Sequence, residues 1–217
     1  MKKMFAILFF VALTLGMVST KVGAVPFNGV EFPDGEVSFA DAVISYEPDY
    51  DPEHSATPFE KASIPSNALG TPNFGMVSLG DGGRITLQFT DNSLTGSGDG
   101  SFDLWVYEVG PDVEDTYVEI SKDNITWYSV GKVFGSTSGI DIDAFGFGTD
   151  DFFSYVRLTD DTNEGGQIGD VVGADIAAVG AISSAPPVAN PTPEPGTFFL
   201  LSVGLLGLLK VRRMLTI

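Results

Sequence analysis

The chain has 217 residues and no cysteine, and its 29 acidic residues against 11 basic ones give a net charge of −18. Such a surface repels nucleic-acid phosphates, which excludes nucleic acid as a partner, and the fold cannot rest on disulfide bonds. The charge is unevenly distributed, because only five basic residues lie between Ala24 and Lys210, together with all 29 acidic ones. This middle part either attracts divalent cations or simply keeps an exported protein soluble.

The N-terminal segment has the order of a secretory signal. Lys2 and Lys3 precede an apolar run over residues 4–18, and Ala24 provides a small residue for cleavage. A membrane anchor is the alternative, but the run is shorter than the roughly 20 residues that a spanning helix needs. The sequence therefore predicts a signal peptide over 1–24, which signal peptidase removes.

The middle of the chain has the pattern of an all-β domain. Ile85, Leu87 and Phe89 alternate with polar residues, which gives a strand one buried and one solvated face. Similar short runs lie at residues 37–46, 102–109, 116–121, 126–133, 153–159 and 175–182. Clusters of glycine, aspartate and serine separate these runs and supply turns. The spacing predicts an antiparallel, jelly-roll-like β-sandwich over residues 25–184.

Three segments follow the predicted sandwich. Prolines make residues 185–195 a semi-rigid linker, and the residues from 196 to 209 form an apolar stretch before the basic end of the chain. As a helix, these fourteen residues would cover roughly 21 Å, less than the roughly 30 Å of membrane hydrocarbon. We therefore expect residues 196–217 to form a short or transient transmembrane helix with a cytoplasmic basic tail.

The C-terminal order of a Pro-Glu-Pro triplet, an apolar helix and a basic tail resembles the PEP-CTERM sorting signal of Gram-negative bacteria. The residues that carry this resemblance are Pro193, Glu194, Pro195, Lys210, Arg212 and Arg213. The resemblance implies recognition by an exosortase. It also implies an inner-membrane intermediate and a final location at the cell surface or outside the cell, often among exopolysaccharide producers.

A second resemblance lies in the middle of the chain. Its segments are residues 68–73 (Ala-Leu-Gly-Thr-Pro-Asn), 77–80 (Val-Ser-Leu-Gly), 102–108 (Phe-Asp-Leu-Trp-Val-Tyr-Glu), 121–127 (Ser-Lys-Asp-Asn-Ile-Thr-Trp) and 173–176 (Gly-Ala-Asp-Ile). Together they resemble the discoidin-like, galactose-binding-like domain of bacterial cell-surface proteins. The resemblance implies a non-catalytic module that binds carbohydrate or exopolysaccharide, often with structural calcium. Ala177 departs from the pattern, because relatives tend to carry a second acid there.

The run at 102–109 places candidate functional groups on both of its faces. Glu108 shares the apolar face of the predicted strand, where a buried carboxylate needs a basic partner, backbone donors or a cation. The candidate calcium ligands are Asp103, Glu108 and Asp175, with Asp41 as a weaker candidate. On the opposite face, Trp105 and Tyr107 would form a sugar-stacking platform if that face were exposed, whereas Trp127 is expected in the core.

Other sites remain open as alternatives. Acidic loops at residues 49–53 and 160–170 could each hold calcium or could be solvated turns. The one histidine, His54, lies in a predicted loop, and the sequence has no Gly-x-Ser-x-Gly nucleophile motif. We therefore expect a protein that is not an enzyme. The alternative is a secreted polysaccharide hydrolase that uses paired carboxylates.

The two processing signals predict the ends of the mature protein. We expect an N-terminus at Val25 and a C-terminus between Pro193 and Gly196, because signal peptidase and exosortase would cut at these places. Mass spectrometry of the protein isolated from its native host measures both ends. Peptides that contain residues 215–217, recovered from the envelope or the medium, would show instead that the tail is retained as a lasting anchor.

Overall fold

A computed structural model describes residues 24–49, 63–73, 75–109, 114–163 and 172–188. The predicted signal peptide, the sorting motif, the apolar C-terminal helix and His54 lie outside these residues. In the described ranges there is no helix whose length and hydropathy would let it cross a membrane.

The described residues form thirteen short strands joined by turns and three short 3-10 segments. The strands are β1 (Val25–Phe27), β2 (Val30–Phe32), β3 (Ala42–Glu47), β4 (Val77–Ser78), β5 (Arg84–Gln88), β6 (Ser93–Leu94), β7 (Leu104–Glu108), β8 (Thr116–Ser121), β9 (Tyr128–Val133), β10 (Thr137–Ile140), β11 (Tyr155–Asp160), β12 (Asp175–Ala181) and β13 (Ser184–Ala185). All seven predicted strands are present. The six additional strands have two to four residues, too few to show a period of two in the sequence.

Two antiparallel sheets build the domain, which confirms the predicted all-β sandwich. One sheet has five strands in the order β3-β5-β11-β8-β9, and the other has four strands in the order β10-β7-β12-β4. Two small ribbons, β1-β2 and β6-β13, complete the fold. The predicted inward face of β5 is confirmed, because Ile85 and Leu87 are fully buried. Its other face is not uniformly solvated, since Arg84 is exposed whereas Thr86 is buried.

The main core lies between the two sheets and consists of aliphatic side chains with two phenylalanines. Its fully buried members include Leu79, Ile85, Leu87, Leu94, Leu104, Val118, Ile120, Ile142, Phe153, Val156, Leu158, Ile176 and Val179. Burial of this much apolar surface is the dominant favourable term in folding, and it provides a stable domain without disulfides.

A second, aromatic core covers the other face of the four-stranded sheet. Phe32 and Phe39 from the N-terminal part of the domain pack on Tyr107 of β7, with ring centres 6.3 and 6.2 Å from the tyrosine ring. The hydroxyl group of Tyr107 donates a hydrogen bond of 3.1 Å to the carbonyl of Phe27 in β1. The central strands β7 and β12 of the four-stranded sheet are therefore enclosed between two layers, whereas most of the edge strand β10 is half-buried.

The folded part of the chain continues past the predicted domain end at residue 184. Strand β13 pairs with β6, and the Ser93 hydroxyl donates to the Pro186 carbonyl while it accepts the Val188 amide at 3.1 Å. The first residues of the predicted linker thus bind the sandwich through backbone hydrogen bonds.

The second core predicts a specific cost of truncation. We expect Phe39→Ala to lower the free energy of unfolding by about 3–5 kcal/mol, because the fully buried ring leaves a cavity between β12 and the N-terminal ribbon. Phe134→Ala is the matched control. It removes a phenylalanine that is 68% exposed and should change stability by less than about 0.5 kcal/mol. Urea unfolding measures both, and equal effects would contradict a packed second core.

Candidate functional site

The four predicted metal ligands do not meet at one place. Asp103 precedes β7 and Glu108 ends it, so their backbones lie roughly 16 Å apart along the strand. Asp175 begins β12 beside Glu108, because the neighbouring Ile176 pairs with Glu108. The structure therefore does not bring the four candidate ligands together at one place, since one ion cannot contact both ends of β7.

Asp41 belongs to neither end of β7. Its exposed carboxylate accepts hydrogen bonds from the amide of Thr90 at 2.8 Å and from the Thr90 hydroxyl at 3.1 Å. It lies in an open surface depression near Asp91, where burial and the neighbouring Asp41 raise the pKa of Asp91. The contacts of Asp41 fix the turn that follows β5.

At the start of β7, Asp103 meets two acids that the sequence analysis did not select. Carboxylate oxygens of Asp103, Asp141 and Asp143 lie within 4.8 Å of one another. We call these three residues the aspartate triad. Asp103 is fully buried, whereas Asp141 and Asp143 are half-buried. The only sequence signal for this grouping is the glycine- and aspartate-rich composition of the loops around residues 96–100 and 141–148.

At the other end of β7, Glu108 and Asp175 are both buried. Glu108 accepts a hydrogen bond from the amide of Glu114 at 3.2 Å, and burial raises its pKa. Burial also raises the pKa of Asp175, to about 7, although a hydrogen bond with Ser78 acts in the opposite direction. The Oδ1 atom of Asp175 has no hydrogen-bond partner.

Asp160 extends this buried group of acids. Its two carboxylate oxygens accept the amides of Gly82 at 2.9 Å and Ala174 at 2.7 Å, which ties the end of β11 to two neighbouring turns. Burial raises the pKa of Asp160 to about 6. The next residue, Asp161, forms a 2.5 Å ion pair with Lys132, which lowers the pKa of Asp161. The described part of the predicted acidic loop 160–170 is thus held by protein donors.

The structure does not form the sugar-stacking platform that Trp105 and Tyr107 would make on an exposed face of β7. Tyr107 is fully buried beneath Phe32 and Phe39, and burial raises its pKa to about 12. Trp105 is partly covered by the same second core and meets Phe102 edge-on at 5.4 Å. The two rings therefore do not form a shared exposed surface, because Tyr107 is fully covered and Trp105 is partly covered. Ala177 lies in the same core, at a β-bulge, where an acid would be buried among aromatic rings.

An aromatic residue that the sequence analysis assigned to the core instead lines a surface groove. Trp127 is only half-buried, and the guanidinium carbon of Arg157 lies 4.2 Å from the centre of its ring. The Asp123 carboxylate accepts the amides of Ile125 and Thr126 at 2.8 Å, and this turn places Trp127 over the outer face of the five-stranded sheet. The turn ends the local alternation before β9 begins, so the sequence pattern did not reveal this position.

The groove has a volume of about 320 Å³ and a polar floor. Its lining residues are Ile44, Ser45, Glu47, Arg84, Thr86, Asn124, Trp127 and Arg157. Arg84 pairs across the strands with Glu47 at 2.8 Å, and Arg157 pairs with Glu119 at 2.7 Å. The arrangement combines one aromatic face with fixed hydrogen-bond donors and acceptors, and we call it the Trp127 groove.

The raised pKa of Asp175 predicts how stability depends on pH. Between about pH 4 and pH 7 the unfolded chain releases the proton of this residue while the folded chain retains it, so the free energy of unfolding falls as pH rises. Asp175→Asn removes this loss, because the amide does not titrate. We therefore expect the free energy of unfolding of the variant, minus that of the wild type, to be larger at pH 8 than at pH 4.5 by on the order of 2 kcal/mol.

Urea unfolding of the full-length protein and the variant in calcium-free buffer at the two pH values measures this difference. Asp150→Asn removes an exposed carboxylate and serves as the control for the change in net charge. A variant whose stability relative to wild type is the same at both pH values would contradict the assignment to Asp175.

Comparisons with known proteins bear on the C-terminal motif more than on the sandwich. A search among curated proteins found no match. Among solved structures, CpGH89CBM32-4 of Clostridium perfringens, in complex with GlcNAc-α-1,4-galactose, has 12% identity and a TM-score of 0.43, over 76% of this chain and 99% of that one. The C-terminal domain of a chitobiase from Bacteroides fragilis has 13% identity and a TM-score of 0.37, over 66% and 95%. At these scores neither similarity decides the ligand or the activity of this chain.

The C-terminal resemblance seen in the sequence is confirmed. Residues 191–213 match the family of the PEP-CTERM protein-sorting motif, and they include the Pro-Glu-Pro triplet, the apolar stretch and the basic tail. Such a motif indicates an exported protein that passes through the membrane on its way to the cell surface. The chain thus carries a PEP-CTERM protein-sorting motif.

Proposed function

We propose that the protein is processed by an exosortase and displayed at the cell surface or in the surrounding matrix, where its sandwich binds a glycan in the Trp127 groove without catalysing a reaction. The sorting half of this proposal follows from the motif over residues 191–213. The binding half rests on the pairing of Trp127 with a polar, open groove.

The groove offers the two kinds of contact that a sugar ring needs. The face of an aromatic side chain packs against the apolar face of a pyranose ring, and amphipathic rings such as tryptophan suit surfaces that are partly wet. Arg84, Asn124 and Ser45 supply donors and acceptors for hydroxyl groups around it. A volume of about 320 Å³ lies at the lower end of the range for small-molecule sites and suits one or two sugar units.

The local charge supports an uncharged glycan. Arg84 and Arg157 are two of only five basic residues between Ala24 and Lys210, and both face this groove. Each forms an ion pair with a glutamate, so the arginines and their partners carry no net charge together. Such a groove neither repels an uncharged sugar nor requires it to displace a free charge.

The same contacts favour a binding site over a hydrolase. A glycosidase needs two carboxylates that face the scissile bond, one as acid and one as base or nucleophile. Glu47 is the one carboxylate among the described residues that line the groove, and Arg84 holds it at 2.8 Å; Glu119 lies behind Arg157, which holds it at 2.7 Å. The arginines thus occupy the carboxylates that a hydrolase would use.

Substitution in the groove tests the binding proposal. Trp127→Ala should weaken retention of the host's own exopolysaccharide by about tenfold or more, because loss of one aromatic stacking contact costs on the order of 1–2 kcal/mol. Phe134→Ala, which removes an exposed aromatic ring elsewhere, should leave binding unchanged. Affinity electrophoresis in gels that contain the polysaccharide measures both variants.

Two outcomes would contradict the proposal. Equal retention of wild type, Trp127→Ala and Phe134→Ala would remove the groove from the binding surface. Release of free sugar by the wild-type protein, abolished by substitution of one carboxylate, would show a hydrolase instead.

A further inference from the structure

The aspartate triad lies where three segments of the chain converge at one end of the sandwich. Asp103 directly precedes β7, and its amide donates to the carbonyl of Ile140 at the end of β10 at 2.8 Å. Asp141 and Asp143 follow β10 in the loop that contains the 3-10 segment Asp143–Phe145. Because β7 and β10 are antiparallel neighbours, the start of one strand and the end of the other meet at this edge.

Asp103 has an environment that its protein neighbours do not satisfy. The residue is fully buried, and its Oδ2 atom accepts the Ile142 amide at 2.9 Å, but Oδ1 has no hydrogen-bond partner. Burial raises the pKa of Asp103. The nearby hydroxyl groups of Ser183 and Ser97 lower the pKa of Asp103, although neither forms a hydrogen bond with its Oδ1 atom. A buried carboxylate oxygen without a donor is costly unless a cation or a proton compensates it.

The triad also has no basic side chain beside it among the described residues. The four described lysine and arginine side chains form ion pairs with other acids: Arg84 with Glu47, Arg157 with Glu119, Lys122 with Asp151, and Lys132 with Asp115 and Asp161. Three carboxylates within 4.8 Å of one another repel each other strongly when all are ionised. The basic residues that could relieve this repulsion are engaged elsewhere.

The neighbouring glycine-rich loop brings main-chain groups close to the triad. The amide of Gly98 donates to Asp143 Oδ2 at 3.0 Å, and the Ser97 hydroxyl donates to the same atom at 3.3 Å. A side chain at Gly96 would lie 2.7 Å from Asp143 Oδ2 and 2.4 Å from the carbonyl oxygen of Phe147, so only glycine permits this approach. The loop therefore closes over one side of the triad and orients Asp143.

We propose that Asp103, Asp141 and Asp143 bind one divalent cation with the ligand preference of calcium. Three carboxylates supply up to six hard oxygen atoms, and calcium accepts six to eight oxygens at flexible angles. Oxygen-only ligands exclude zinc as the preferred metal, because zinc sites in proteins favour histidine and cysteine. The ion compensates most of the negative charge of the triad and coordinates the buried carboxylate of Asp103.

This site is separate from the Trp127 groove, which lies on the other sheet, so glycan binding and cation binding can fail independently. A cation here would join the start of β7 to the loop after β10 and to the glycine-rich loop. The consequence is a stabilised sandwich under the calcium concentrations found outside cells.

Titration with calcium chloride tests the site on the full-length protein, purified in detergent and stripped of metal by a chelator. We expect the melting temperature of the wild type to rise by about 5–10 °C when free calcium is a hundredfold above its dissociation constant, at matched ionic strength. Calorimetric titration should give one calcium per chain. Asp141→Asn, at a half-buried position, should weaken binding by about tenfold or more and reduce the thermal shift accordingly.

Four further variants make the result specific. Asp103→Asn should also weaken calcium binding. If this variant fails to fold, calcium binding by Asp141→Asn and Asp143→Asn tests the site instead. Asp150→Asn, a nearby exposed acid, and Asp175→Asn, a buried acid at the opposite end of β7, should bind calcium as the wild type does. Absence of a thermal shift in the wild type, an unchanged shift in the Asp141 and Asp143 variants, or a shift lost in Asp175→Asn would overturn the proposal.

Discussion

Burial of β7 on both faces is the constraint on which the arrangement of this domain depends. The strand is enclosed by the main core on one side and by the aromatic second core on the other. A strand in this position can keep charged groups only at its ends, because an ionised side chain in its middle would lose its hydration without a partner. Asp103 at the start and Glu108 at the end occur at these two places, and each lies beside further acids.

The burial of β7 also determines which surface of the sandwich is accessible to a ligand. The N-terminal ribbon covers the outer face of the four-stranded sheet, so the aromatic side chains of β7 contribute to stability and not to recognition. Among the described residues no such ribbon covers the outer face of the five-stranded sheet, and cross-strand pairs of arginine and glutamate line it. These exposed pairs add little to folding stability, but they hold donors and acceptors in fixed positions around Trp127.

The sequence predicted the fold better than the site, for physical reasons that particular residues illustrate. Strands such as β11 have one buried and one partly solvated face, and alternating residues such as Leu158 and Arg157 show this asymmetry in the sequence. In β7 both faces are buried, so Trp105 and Tyr107 carry no sign of which side is covered by a distant segment. The aspartate triad depends on the pairing of β7 with β10, a long-range contact that spacing along the chain does not encode. The position of Trp127 depends on the turn at Asp123.

The long-range closure of the sandwich has a consequence for the order of folding. The carbonyl of Phe27 accepts a hydrogen bond from the hydroxyl of Tyr107, 80 residues later in the chain. The hydroxyl of Ser93 accepts a hydrogen bond from the amide of Val188, 95 residues later. Because synthesis proceeds from the N-terminus, the first ribbon has no surface to pack on until β7 and β12 are made, and the β6-β13 ribbon cannot form until the chain reaches residue 184. Contacts of such sequence separation slow folding, because the entropy of closing long loops opposes folding before these contacts form. The two ribbons can therefore complete the sandwich only after its central strands are available.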